Sequence, residues 1–197
     1  NKLLQKYKDP LLQASQELFF NIENIFKIKN NFLKTDIDKK TLIYCFVQFL
    51  CWIEIIRKNL IIMDDINSSK FFNLRSNLQE VQQSFDNNFI NDDKFKISYS
   101  EQKAIGEVMI KDNKCLLYTD FIENFCSYSK WLNKLILYVD ELSNNIDNYS
   151  PSLPDYEKPN RFYNNFEIYC RNLFDDHEWV YNNYFDKPED NKCLRCN

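Results

Sequence analysis

Leu42-Ile43-Tyr44-Cys45-Phe46-Val47-Gln48-Phe49-Leu50-Cys51-Trp52-Ile53 is apolar on nearly every side, with a single amide, Gln48, in its middle. A run of this kind without Gly or Pro reads as a helix buried all round, which places it at the centre of its domain. It could be mistaken for a membrane span, but Glu54, Arg57 and Lys58 close it well short of the ~20 apolar residues a span needs. With its flanks, the run predicts a helix over 41–63.

Helical periodicity extends outward from this segment in both directions. Upstream, Leu11, Leu18, Ile25 and Phe32 recur every seven residues, with Leu12, Phe19, Phe26 and Leu33 beside them. Asp9-Pro10 opens that first helix, a capping side chain followed by a proline in the first turn, where a missing N–H costs nothing. The polar stretch 36–40 separates it from the central run. Downstream, Asn67-Ser68-Ser69 offers caps for a third helix on Phe71, Leu74, Leu78, Val81 and Phe85, and the polar stretch 87–96 reads as a loop. Ser98-Tyr99-Ser100-Glu101 is a capping-box pattern that starts a short fourth helix ending near Ile110, and Lys111-Asp112-Asn113-Lys114 makes the turn after it.

The fifth helix carries two adjacent heptad series, Phe121, Tyr128, Leu135, Leu142 and Phe125, Leu132, Val139, Ile146, from a Thr119 cap to about Asn145. At ~1.5 Å per residue it would be roughly 40 Å long. Three prolines within 150–159 mark an internal linker, and a sixth helix follows over 161–181 on Phe162, Phe166, Tyr169, Cys170, Leu173, His177 and Val180. The expected fold is all-α: an elongated bundle of about six helices with the long second and fifth at its centre. One domain would cover 1–186, with a polar tail over 187–197.

Composition excludes several classes of function. The 197 residues are 44% hydrophobic and 27% charged, enough for one folded domain. A net charge of −4 supplies no broad positive field, so duplex nucleic acid is not an expected partner. One Gly and five Pro are too few for a many-stranded β architecture or a glycine-rich phosphate loop. Seven cysteines make an odd total, and Cys45, Cys51 and Cys126 fall inside apolar helical runs, which points to a reducing cytoplasm rather than a disulfide framework. Asn, Lys, Ile, Phe and Tyr are all abundant and share AT-rich codons, so single surface Asn or Lys residues carry no functional weight.

Polar residues in apolar settings are the candidate site. Gln48 interrupts the central helix, and Glu54 and Arg57 lie three residues apart on its stripe Val47, Leu50, Glu54, Arg57, Ile61. Glu101 and Gln102 open the word Glu101-Gln102-Lys103-Ala104-Ile105-Gly106-Glu107-Val108-Met109, which contains the chain's only glycine inside a helix. A mid-helix Gly costs ~1 kcal/mol relative to Ala, so it needs a steric reason. The simplest reason is a close helix crossing at Gly106, with Glu107 solvated between Lys103 and Lys111; the other is a ligand site. An acid and an arginine in a cleft could likewise be a structural ion pair or could hold a carboxylate or phosphate.

Gln48-Phe49-Leu50-Cys51-Trp52-Ile53-Glu54-Ile55-Ile56-Arg57-Lys58, the word over 101–109, and Tyr118 with Phe121 and Trp131 resemble the recurring words of an uncharacterised all-α family found in bacteria, fungi and plants. The resemblance covers 10–142 and departs in the last third, where the family's Arg-Leu opening and Leu-rich helix read here as Arg161-Phe162 followed by Tyr163-Asn164-Asn165-Phe166. Bacterial members often carry a membrane-spanning helix ahead of this domain. The resemblance therefore implies the fold and a tether outside this fragment, and it transfers no catalytic residue.

These readings converge on a non-enzymatic helical interaction or sensing module with a protein partner. It would be cytoplasmic, or at the cytoplasmic face of a membrane reached through sequence outside this fragment. The alternative is an enzyme or small-ligand receptor with a polar pocket near Glu54, Arg57, Glu101 and Gln102, with Gln48 above it. RNA binding through exposed Tyr and Lys trails both. No cofactor is expected.

No metal site is expected either. Cys193-x-x-Cys196 has half the spacing of a zinc site, and Cys170 and His177 would have to complete it from the sixth helix. Structural zinc would contribute directly to folding, and a chelator would then lower the melting temperature by many degrees. The expected result is an unchanged melt in chelator and no stoichiometric zinc by elemental analysis.

Overall fold

The computed structural model describes residues 2–28, 33–60, 76, 78–83, 85–86, 95–145, 166, 168 and 170–171. These residues are mostly helical. In chain order they form α1 (Lys2–Ile28), α2 (Asp36–Leu60), α3 (Tyr99–Val108), a hairpin of β1 (Ile110–Lys111) and β2 (Lys114–Cys115), α4 (Tyr118–Glu123) and α5 (Phe125–Asn145). Helical residues 78–83 lie between α2 and α3, and 166, 168, 170 and 171 are also helical. The third-helix caps, the 150–159 linker, the tail over 187–197, His177, Cys193 and Cys196 lie outside the described residues.

α2 packs against α1, α3, α4, α5 and β2, as its apolar perimeter requires. Phe46 and Phe49, buried at its middle, organise the core. Phe85 stacks on Phe49 and meets Phe46 edge-on, Phe166 meets Phe49 edge-on at 5.1 Å, and Tyr138 of α5 lies edge-on to both Phe46 and Phe95. Offset and T-shaped contacts of this kind add to the burial of large rings. Leu11, Leu18 and Ile25 of α1, and Leu132, Leu135, Val139 and Leu142 of α5, are buried on the stripes their spacing predicts.

Four boundaries differ from the sequence reading, each for a local reason. α1 begins at Lys2 and carries Pro10 inside it; the proline removes one N–H and leaves the rest of the ladder to continue. Residues 36–40 are the first turn of α2 rather than a break. Thr35 and Asp38 bond reciprocally there: the Thr35 N–H donates to Asp38 Oδ2 at 2.8 Å, and the Asp38 N–H donates to Thr35 Oγ1 at 3.1 Å. These bonds hold the Asp38 carboxyl below the usual carboxylate range.

The fifth helix is two helices. Leu117, extended and without a side-chain cap bond, precedes α4, so Thr119 lies inside the helix instead of capping it. Asn124 then ends α4: its side-chain amide donates back to the Asp120 carbonyl at 2.9 Å, and its own carbonyl accepts from the Ser127 N–H at 2.9 Å to start α5.

The all-α expectation omitted the hairpin. Ile110 pairs with Cys115 and Lys111 with Lys114 in antiparallel register, and Asp112 and Asn113 turn the corner at φ 53° and 59°. Two consecutive left-handed residues make the turn whose twist suits a two-residue hairpin, and Asp and Asn tolerate it better than other non-glycine residues. Leu116 extends the ladder, its N–H donating to the Met109 carbonyl at 2.8 Å. A β-branched residue at Asn113 would meet the left-handed penalty of roughly 1–2 kcal/mol. Asn113→Val is therefore expected to lower the urea midpoint by about that free energy, while Asn113→Gly leaves it unchanged or raises it.

Candidate functional site

Gly106 is buried in α3 where that helix crosses α2. A Cβ at this position would stand 2.5 Å from Glu54 Cγ and 2.7 Å from the Leu50 carbonyl oxygen. α3 approaches α2 this closely because position 106 has no side chain, and the approach covers Glu54, which is 1% exposed.

A buried carboxylate without a partner is strongly destabilising, and Arg57, one turn further along α2, prevents that. Its Nε donates to Glu54 Oε1 at 3.1 Å and Oε2 at 2.8 Å, and its Nη2 donates to Oε2 at 2.6 Å. Bonding to Glu54 raises the Arg57 pKa above its ordinary value against the opposing effect of burial. Glu107, expected between Lys103 and Lys111, pairs across the crossing instead. Its Oε1 lies 3.4 Å from Lys58 Nζ and 3.9 Å from Arg57 Nη2. Two acids and two bases thus bracket the crossing, with Glu54 inside and Glu107 at the rim.

Glu101 and Gln102 are engaged elsewhere. Glu101 completes the capping box, accepting from the Ser98 N–H at 2.8 Å and the Ser98 hydroxyl at 2.7 Å. It also meets Lys134 of α5 at 2.8 Å, and Lys134 donates in addition to the Lys96 carbonyl at 2.7 Å. Burial pushes the Glu101 pKa up, but the bonds from Lys134 and Ser98 outweigh it and hold the carboxyl below the usual range. A carboxyl lowered on folding stabilises the fold above its unfolded pKa and gives up that contribution as the pH falls through the folded one. Glu101 is thus ionised and occupied at neutral pH, which suits a strut and not a general acid.

Gln102 is buried, and its Nε2 donates to the Gln82 and Ile97 carbonyls, both at 2.8 Å. Together with the Ile97 N–H to Phe85 carbonyl bond at 3.1 Å, the amide fastens residues 78–83, 85–86 and 95–98 to α3. Its Oε1, like Gln48 Oε1, is buried with no hydrogen-bond partner among the described residues. Of the five candidate residues, Glu54 and Arg57 are bonded to each other, Glu101 is tied to Ser98 and Lys134, and Gln102 is tied to backbone carbonyls.

Residues outside the candidate set complete the framework. Lys134, Thr41, Tyr44 and Tyr118 act over long separations, for which one sequence carries no local signal. The Tyr44 hydroxyl donates to the Leu116 carbonyl at 2.8 Å, burial raises its pKa, and Thr41 Oγ1 bonds the Tyr118 hydroxyl at 2.8 Å. Set beside known proteins, the chain matches no family model, no curated protein and no solved structure.

The crossing makes a direct prediction. Replacing a helical glycine by alanine ordinarily gains up to about 1 kcal/mol, but here the new methyl would meet a backbone oxygen, and overpacking costs typically 1–3 kcal/mol. Gly106→Ala is expected to destabilise the protein and Gly106→Leu to do so further, measured by urea melts. A stabilised Gly106→Ala variant would show the contact to be looser than described.

Proposed function

We propose that this chain is a helical interaction or sensing module without catalytic activity, and that its partner is another protein. The observation that carries this reading is the engagement of its chemistry-bearing groups with its own fold. Glu54 is bonded by Arg57, Glu101 by Ser98 and Lys134, and the Gln102 amide nitrogen by two carbonyls. Phe20, Leu117 and Trp131 meanwhile stand exposed on α1, ahead of α4 and on α5. Trp is among the residues enriched at the anchor points of protein–protein interfaces.

The scaffold in this reading is an elongated bundle of about six helices, with α2 and α5 at its centre. The packing of α2 against α1, α3 and α5 supports it. Membership of the uncharacterised all-α family belongs to the same proposal. Two of its words supply the two sides of the Gly106 crossing, with Leu50, Glu54 and Arg57 on one side and Gly106 and Glu107 on the other. Words that meet in this way support a packing signature. The module would work in the cytoplasm, which the free thiols of Cys45, Cys51, Cys115 and Cys126 support. No helix among the described residues is long and apolar enough to cross a membrane.

The receptor reading has two buried amide oxygens in its favour, Gln48 Oε1 and Gln102 Oε1, neither with a hydrogen-bond partner among the described residues. Substitutions separate the two readings. If the chain is an interaction module, Leu117→Ala and Trp131→Ala melt like wild type yet lose partner binding and complementation in cells. Arg57→Ala and Gln102→Ala would then lose function only as far as they lose stability. Interior variants that melt like wild type and fail in the cell would overturn the module reading in favour of the receptor.

A further inference from the structure

α5 buries Leu132, Leu135, Val139 and Leu142 and leaves Lys130, Trp131, Asn133 and Leu137 exposed. Between Phe125 and Val139 it carries no Asp or Glu, although the chain as a whole has more acids than bases. Lys130 and Lys134 stand at i and i+4, a like-charge spacing that weakens a helix. Helix stability therefore gives no reason for having both.

The two lysines differ in what they meet. Lys134 is paired with Glu101 at 2.8 Å and held by the Lys96 carbonyl at 2.7 Å. Lys130 has no carboxylate partner among the described residues, and its ammonium lies 5.2 Å from the centre of the Trp131 ring. That contact holds a cation against an indole, so α5 presents an unneutralised charge and a large exposed ring side by side. Leu137, two turns beyond Lys130, extends the same face.

We propose that this face of α5 binds an acidic segment of another protein, whose carboxylates meet Lys130 and whose apolar side chain covers the Trp131 indole. The inference rests on the module reading and names the chemistry of its partner. Charge complementarity selects the occupant. A second copy paired about a two-fold axis would set Lys130 of one chain near Lys130 of the other, and like charges facing each other across an interface are costly. A membrane surface would need a broad apolar face, whereas the apolar stripe of α5 is spent on the core and only Trp131 and Leu137 remain outside it.

The test is a selection from a random peptide library displayed on phage, with the full chain as target, followed by fluorescence anisotropy of the selected peptides on variants. The expected peptides are rich in Asp and Glu around an apolar residue, and their binding weakens as salt rises. Lys130→Glu and Trp131→Ala are each expected to weaken it by about tenfold or more, while Lys6→Glu, the same charge change on α1, leaves it unchanged. Lys130→Glu should also melt no lower than wild type, because it replaces a repulsive spacing with an attractive one, so its loss of binding is not a loss of fold. Selection of neutral or basic peptides, binding that Lys130→Glu leaves intact, or failure to enrich any peptide would overturn the proposal. Lys130-dependent binding to phosphatidylserine vesicles, or Lys130-dependent dimerisation by sedimentation, would overturn it in favour of a membrane or a second copy. The module reading fails separately, if Leu117→Ala and Trp131→Ala both keep partner binding and cellular function.

Discussion

The closure of α3 onto α2 at Gly106 is the constraint on which the rest of the structure depends. A side chain at that position would collide with the Leu50 carbonyl and with Glu54, and separating the helices would uncover Glu54, Ile105 and Met109, all now buried. The glycine also forfeits about 1 kcal/mol of helix propensity. The fold recovers this through the burial that the crossing permits, since a single fully covered Ile or Met side chain contributes roughly 1.5–3 kcal/mol.

That crossing determines the polar chemistry around it. Covering Glu54 creates a need for a cation within hydrogen-bonding reach, and Arg57 answers it from the next turn of the same helix. A local pair of this kind requires little additional ordering, because α2 already holds both residues. Lys58 and Glu107 then bridge the two helices at the rim. Exposed pairs of this kind are typically worth less than about 1 kcal/mol, so they orient the crossing more than they stabilise it. Glu101 serves twice, capping α3 and meeting Lys134, and through it the start of α3 is tied to α5.

Elements governed by local chemistry were legible in the sequence. The apolar perimeter of 42–53 predicted the central helix, the Ser98 and Glu101 box predicted the start of α3, and the heptad series of α5 predicted its buried face. The boundaries that differed depended on competing local bonds. The Thr35 and Asp38 box turned a polar stretch into the start of a helix, and Asn124 divided what periodicity read as one helix, because apolar spacing continues across a turn that the backbone does not. The hairpin escaped because two residues per strand is too short for an alternation to register, although Asp112-Asn113 was its turn signal. In the candidate site, the pairing of Glu54 with Arg57 was legible from a spacing of three residues. The partners of Glu101 on α5 and of Gln102 at Gln82 depend on how distant segments come together, and spacing says nothing of that.

The hairpin explains why a single helix can organise so much of this chain. A plain turn after α3 would present unpaired backbone groups to α2. The strands instead pair with each other, and two groups left over are met individually: the Leu116 N–H by the Met109 carbonyl, and the Leu116 carbonyl by the Tyr44 hydroxyl. With its backbone satisfied in this way, the hairpin can lie directly against an apolar helix, where an unpaired peptide group would cost on the order of 1–3 kcal/mol. The face of α2 that receives it carries Tyr44 and Cys51, side chains with an apolar body and a polar tip. α2 is therefore oily enough to be the core and still polar at the few points where other elements need a bond.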